Sequence, residues 1–176
     1  MGLGTNYDKK HAGAVNLLRP YLRDLDDISW TSDPTPWGGP TKVYNCFGFA
    51  VDSREWWQDP SIPGDPEGDP RFYWPENLRD PNNYTPWMAS YVAAAESLGF
   101  EDCGQDSSWE DGHERIALIH SRGLFVHAAL QVSPTRWKSK LGELSDFEHS
   151  LDSIMRAYPA HRIAFLKRER QSRTLT

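Results

Sequence analysis

Apolar residues in the first half of the chain recur at helical spacing, and in the second half they alternate. Between residues 11 and 28, Leu17, Leu18, Tyr21, Leu22, Leu25 and Ile28 follow the period of an amphipathic helix, with Pro20 as a break or kink. Thr31 to Pro40, with Pro34, Pro36, Gly38, Gly39 and Pro40, reads as an irregular loop. Lys42 to Trp57 can run as a helix from about Asn45, with Phe49, Ala50 and Trp56 or Trp57 turned inward, which places Cys46 in its first turn. From Asp59 to Pro86 the chain carries seven prolines, two glycines and six acidic residues, so neither a helix nor a sheet interior is expected there. A loop of that length serves as a lid or binding arm, or is a plain insertion. Thr85 and Pro86 then predict a helix start, and Trp87, Met88, Tyr91, Val92, Ala95 and Leu98 trace one helical face that Gly99 ends.

Beyond Gly99 the period changes to two. Arg115 to His120 predicts a strand, Ser121 to Gly123 a tight turn, and Leu124 to Val132 a second strand. In the second strand Leu124, Val126, Ala128, Leu130 and Val132 share one face, and Phe125, His127, Ala129 and Gln131 the other. After a turn at Ser133 to Thr135, Arg136 to Leu141 forms a third strand of an antiparallel meander. Ser145 with Glu148 predicts a capping box opening a helix from Asp146 to about Ala157, and Arg162 to Lys167 a closing strand. The layout is α+β, with N-terminal helices packed on a C-terminal antiparallel sheet, and residues 1–176 read as a single domain.

Composition narrows the function. The chain is 38% hydrophobic and 25% charged, as globular proteins are, but its eight Trp exceed what packing demands. A net charge of −6 argues against nucleic-acid binding, which needs a surplus of Lys and Arg on one face. Lys167, Arg168, Arg170 and Arg173 gather in a basic tail, residues 167–176, expected to be a solvated or frayed end. No basic stretch followed by an apolar run opens the chain and no segment has the apolar length of a membrane span, so the expectation is a cytoplasmic protein without membrane contact. Both cysteines are then thiols.

A nucleophilic cysteine needs surroundings that favour thiolate, and a helix start supplies unpaired N–H groups and the positive end of the dipole. Cys46 meets that condition. His127, eighty-one positions later, is the candidate imidazolium partner and base. The Cys46 N–H, with Asn45 or Tyr44 as a further donor, would face the oxyanion of an acyl intermediate. The plainer alternatives are a packed apolar thiol and a satisfied sheet histidine. Cys103, among Glu101, Asp102 and Asp106, is a poor nucleophile, and His113 and His120 read as polar surface or hairpin residues. Cys46, His127 and His149 lack tight ligand spacing, and Asp65, Glu67 and Asp69 lack the rest of a calcium loop, so no metal or other cofactor is expected.

TKVYNCFGFA, LFVHAALQ, RWKSKLG and SDFEH, in that order, resemble an uncharacterised bacterial protein family with a Tyr-Asn-Cys motif, a later His-Ala-Ala motif, a Trp-x-Ser-Lys-Leu-Gly strand and an Asp-x-Glu-His helix start. The resemblance runs from about Val43 to Lys167. In its order of elements that family looks like the papain-like cysteine hydrolases, particularly amidase branches of the CHAP type. The resemblance implies Cys46 as nucleophile, His127 as general base, and a third polar residue on the following strand to orient the imidazole. If the turn pairs Ser133 with Thr135, Ser139 is the diagonal neighbour of His127; if it pairs Ser133 with Arg136, Lys140 is. Ser139 is the better orienter because it can accept a hydrogen bond. Neither is the usual Asn, His or acid, so Asp146 or His149 stands as an alternative third group.

Trp56, Trp57 and Trp74 are candidates to line a groove for an extended peptide. The implied activity is hydrolysis of, or acyl transfer from, an amide or peptide bond through a Cys46 thioester. The rival expectations are a catalytically silent module that binds a protein partner, and a toxin or immunity effector using the same site.

Overall fold

The computed structural model describes residues 29–30, 44–53, 73–75, 78, 88–140, 146–158 and 161–170. The expected helix over 11–28, the loop over 31–40, Trp56, Trp57, most of the 59–86 segment, the Thr85–Pro86 helix start, Ser145 and Arg173 lie outside them.

Two glycine-ended elements and a meander behave as their residues dictate. Helix α1 spans Cys46–Ala50 and helix α2 spans Met88–Ser97. Past α2, Gly99 takes φ +85, the left-handed conformation in which a side chain would be strained. Strand β3, His113–Ser121, turns through Arg122 (φ 52) and Gly123 (φ 84) into β4, Leu124–Gln131. Two consecutive left-handed residues are what a two-residue hairpin between right-twisted strands requires. The Gly123 carbonyl also accepts from the Met88 N–H at 2.7 Å, so the turn satisfies a donor in the first turn of α2. Strand β5, Trp137–Lys140, continues the meander.

Together with β1 (Ser29–Trp30), β2 (Glu101–Asp102), β6 (Asp146–His149) and β7 (Arg162–Glu169), these strands form a sheet of order β1-β6-β5-β4-β3-β7-β2, antiparallel at every pairing. Its edge beside β7 is closed locally. Cys103 N donates to Phe165 O, Phe165 N to Gly104 O, and Gln105 Nε2 to Ile163 O.

The sheet is covered on both faces. Phe47 and Ala50 of α1 and Tyr91, Ala94 and Ala95 of α2 pack on Ile116, Leu118, Ala128 and Leu166. Helix α3, Leu151–Ala157, places Leu151 and Ile154 against the opposite set, Ala117, Ile119, Ala129, Phe147 and Phe165. Double coverage explains why β3 is buried without interruption from Arg115 to Ile119 instead of alternating with solvent.

Four expectations need correction. The cysteine helix stops at Ala50, because Asp52 adopts φ 60 and the donors of Asp52 and Ser53 close back on Phe49 O and Gly48 O, a two-bond helix stop of the Schellman type. The predicted helix from Asp146 is a strand over its first four residues. Its period of two buries Phe147 and His149 on the α3 face, and the helix starts only after Ser150, whose hydroxyl accepts from Ser153 N at 3.1 Å. Phe125 does not share the His127 face: the register slips between Ile119↔His127 and His120↔Phe125, so Val126 is a bulged, exposed residue and Phe125 turns to Phe47 and Tyr91. The basic tail starts later than residue 167, since Lys167 and Arg168 belong to β7. Lys167 pairs with Glu110 at 2.6 Å. Arg168 pairs with Glu114 at 2.7 Å while donating to Leu98 O and Val51 O at the ends of α2 and α1.

Candidate functional site

The β4–β5 register settles where the third-residue candidates stand. Ala129 opposes Ser139, the arrangement in which Ser139 is diagonal to His127. Both side chains are buried on the α3 face together with His149, which opposes Trp137. Ser139, however, is engaged elsewhere: its Oγ lies 2.8 Å from His149 Nε2. His149 Nδ1 lies 2.8 Å from the Ser150 carbonyl, which can only accept, so Nδ1 carries the proton. In the neutral ring Nε2 then accepts from the Ser139 hydroxyl.

His127 stacks on the Tyr158 ring at 5.6 Å between centroids, and its Nε2 is buried without a hydrogen-bond partner. Burial first, and the neighbouring His149 second, push its pKa down to about 3. The ring is therefore neutral at physiological pH.

Cys46 sits on the other face. Its neighbours in the core are those of α1 and α2, including Ala128, the residue after His127 in β4. The cross-strand partner of His127 is Ile119, which belongs with Phe147, Ile154 and Tyr158 under α3. Adjacent residues of a strand point to opposite faces, so the thickness of the sheet lies between the thiol and the imidazole. The structure does not bring Cys46 and His127 together, and no proton can pass directly from one to the other in this arrangement.

What shares the Cys46 face is a different polar set. Asn45 caps α1, its Oδ1 accepting from Gly48 N at 3.1 Å. Tyr44 lies beneath Lys140, whose Nζ is 5.4 Å from the ring centroid. Lys140 is 1% exposed and directly opposes Asp146, itself 2% exposed. Lys138 Nζ approaches Asp146 Oδ2 at 3.8 Å and Glu148 Oε1 at 3.6 Å. Of the groove candidates, Trp74 packs against the core with its ring 5.4 Å from Tyr91, edge to face. Trp137, half of another aromatic pair, is buried against Phe165.

Cys103 behaves as its acidic neighbours suggest, although burial is the main cause of its raised pKa. Arg115 opposes the shift while Asp106 and Asp102 reinforce it. Its thiol donates to Phe165 O at 3.1 Å, and the guanidinium of Arg115 holds both the sulfur and Asp106. Buried Arg115 and the helix-end clamp of Arg168 were not singled out from the sequence. Glu110 and Glu114, their carboxylate partners, are the only signal that could have pointed to them. Among the described residues no cluster of three or more His, Cys, Asp or Glu could hold a metal ion, and no helix is long and apolar enough to cross a membrane.

A family described as a domain of unknown function, DUF7689, matches residues 37–161. The chain belongs to this family. No curated protein and no solved structure matches it. The DUF7689 match takes in α1, the meander, β6 and α3, and so includes both polar clusters.

Proposed function

We propose that this domain acts as a binding module for a protein partner and does not work through a Cys46–His127 dyad. The observation that carries the reading is the assignment of α1 and α3 to opposite faces of one sheet, with the thiol under the first and the imidazole under the second. Imidazole held neutral by burial is a poor ion-pair partner for a thiolate. In this reading Ser139, His149 and His127 specify the packing of α3, and Lys140, Asp146 and Tyr44 specify that of α1. The partner contact falls to the acidic 59–86 segment with Trp56 and Trp57, in a cytoplasmic setting.

The test is haloacetamide labelling of the intact chain across pH. Both thiols are expected to label slowly, with no acid-shifted titration at Cys46 and no change at Cys46 in a His127→Phe variant that keeps its circular dichroism. Rapid, acid-shifted labelling of Cys46 that disappears with His127 overturns the proposal.

A second reading keeps the papain-like hydrolase or acyltransferase, including its use as a toxin or immunity effector. It is favoured by one observation: Cys46 opens a capped helix on the same sheet face as two buried ionisable residues, Lys140 and Asp146. The thioester would form at Cys46 with those groups, not His127, shaping its protonation. Mass-spectrometric capture of an acylated Cys46 that is lost in Lys140→Met would establish it, and an unmodified thiol after exposure to activated amide substrates would remove it.

A further inference from the structure

Several cations among the described residues are matched. Arg115, Lys138, Lys167 and Arg168 each face a carboxylate within 4 Å. Arg122 and Arg162 are exposed and carry no hydrogen bond or ion pair. The two stand at one end of the sheet. Arg162 is the direct cross-strand partner of His120, and Arg122 lies two residues beyond His120 in the hairpin turn. His161, the residue before β7, adds a second imidazole, its ring meeting Tyr158 edge-on at 5.4 Å.

We propose that this hairpin end, built from His120, Arg122 and Arg162, is a binding site for a phosphate or phosphoryl group. The His120 Nδ1 is buried with no hydrogen-bond partner, an unused polar atom directly across from Arg162 and two residues before Arg122. Among the described residues, the charged groups acting on His120 are Arg162 and His161. In a chain of net charge −6, such a locally uncompensated positive end is a specific placement of charge.

Arg122 also holds φ 52 at a turn position suited to Asn, Asp or Gly. A left-handed conformation costs an ordinary residue about 1 kcal/mol or more, and such strain persists where a side chain is needed for something else. Two guanidinium forks and an imidazole offer more donors than one carboxylate uses, and a phosphate dianion balances the charge of two arginines. The inference does not rest on the chemistry of Cys46.

The experiment is a titration of the isotope-labelled full chain with sodium phosphate, followed by NMR, against sodium chloride at matched ionic strength. Phosphate is expected to give saturable shifts at Arg122, Gly123 and Arg162. It should also raise the pKa of His120, because a bound anion favours the imidazolium. Among the described residues, the groups around that ring are Arg162 of β7, His161 before it, and Phe125 of β4. Arg162→Gln and Arg122→Asn are each expected to weaken binding about tenfold, the loss of one charge-assisted contact. Together they should abolish it. Arg122→Asn relieves turn strain, so its lost binding cannot be ascribed to unfolding.

A phosphoserine peptide provides the second arm. Binding ten times tighter than inorganic phosphate assigns the group to a protein ligand, and equal binding assigns it to a free anion. Either result supports the site. Shifts that match those of chloride, or that survive in the double variant, overturn it.

Discussion

The two faces of the sheet solve the same problem with opposite chemistry. Under α3 the buried polar groups include His127, which burial holds neutral, and the hydrogen-bonded pair Ser139 and His149, 2.8 Å apart. Under α1 and α2 they are ionic. Lys140 and Asp146 oppose one another there, and Arg168 joins Glu114 to the last carbonyls of two helices. Sequence neighbours are divided between these environments. Ser139 and Lys140, or Asp146 and Phe147, differ by one position and lie on opposite sides of one strand. Chemical residues that seem adjacent along a motif are therefore not adjacent in space, and a motif that crosses a strand cannot be read as one site.

The largest expected effect breaks the ionic face. Arg168→Met removes the Glu114 partner and two helix-end donors at once, and should cost about 3–5 kcal/mol in urea denaturation, since it leaves a mostly buried carboxylate alone. A loss below about 1 kcal/mol would mean that α1 and α2 are held by their apolar contacts alone.

The neutral face is addressed by pH. His127 has a folded pKa of about 3 against an ordinary 6.5, so the unfolded chain takes up a proton that the folded chain refuses. The associated stability is present above pH 6.5 and falls by about 1.4 kcal/mol per unit as pH drops towards 3. His127→Phe should therefore be close to wild type at pH 7 and more stable than wild type by about 3 kcal/mol at pH 4, the difference in melting curves isolating this group from the carboxylates. Parallel acid profiles for the two proteins would place the imidazole in solvent.

Ser139→Ala leaves His149 Nε2 without its partner in the core and should cost about 1–3 kcal/mol. In a double-mutant cycle with His149→Phe most of that cost should vanish, and additivity would show that the pair is not coupled. The smallest effect sharpens the end of α1. Asp52 occupies the left-handed position of the helix stop, so Asp52→Gly should stabilise by about 1 kcal/mol in thermal denaturation.

Much of the scaffold was legible from residue order. Alternation along Leu124 to Gln131, the Gly123 turn and Gly99 beyond α2 lead to the observed hairpin and helix stop because each is decided within a few residues. The β6 strand was not. Ser145 and Glu148 satisfy a helix-start pattern, but β5 needed a partner, and pairing across four residues outweighed local propensity. Alternation gives Val126 a regular place, because a bulge leaves no trace in the pattern of apolar residues. Within the candidate site, Tyr44, Asn45, Cys46, His127, Ser139, Lys140, Asp146 and His149 stand out by their chemistry and motifs, but their burial and their grouping do not.

By itself the sequence determined an antiparallel meander with a histidine on one side of its second strand and a cysteine opening a helix before it. Only the tertiary structure decided which side each helix would cover. Both faces of β3 and β4 are apolar enough to be buried, so local pattern gives α1 no preference between them. Packing of Phe47, Tyr91 and Phe125 made the choice, and with it placed the thiol and the imidazole on opposite sides of the sheet.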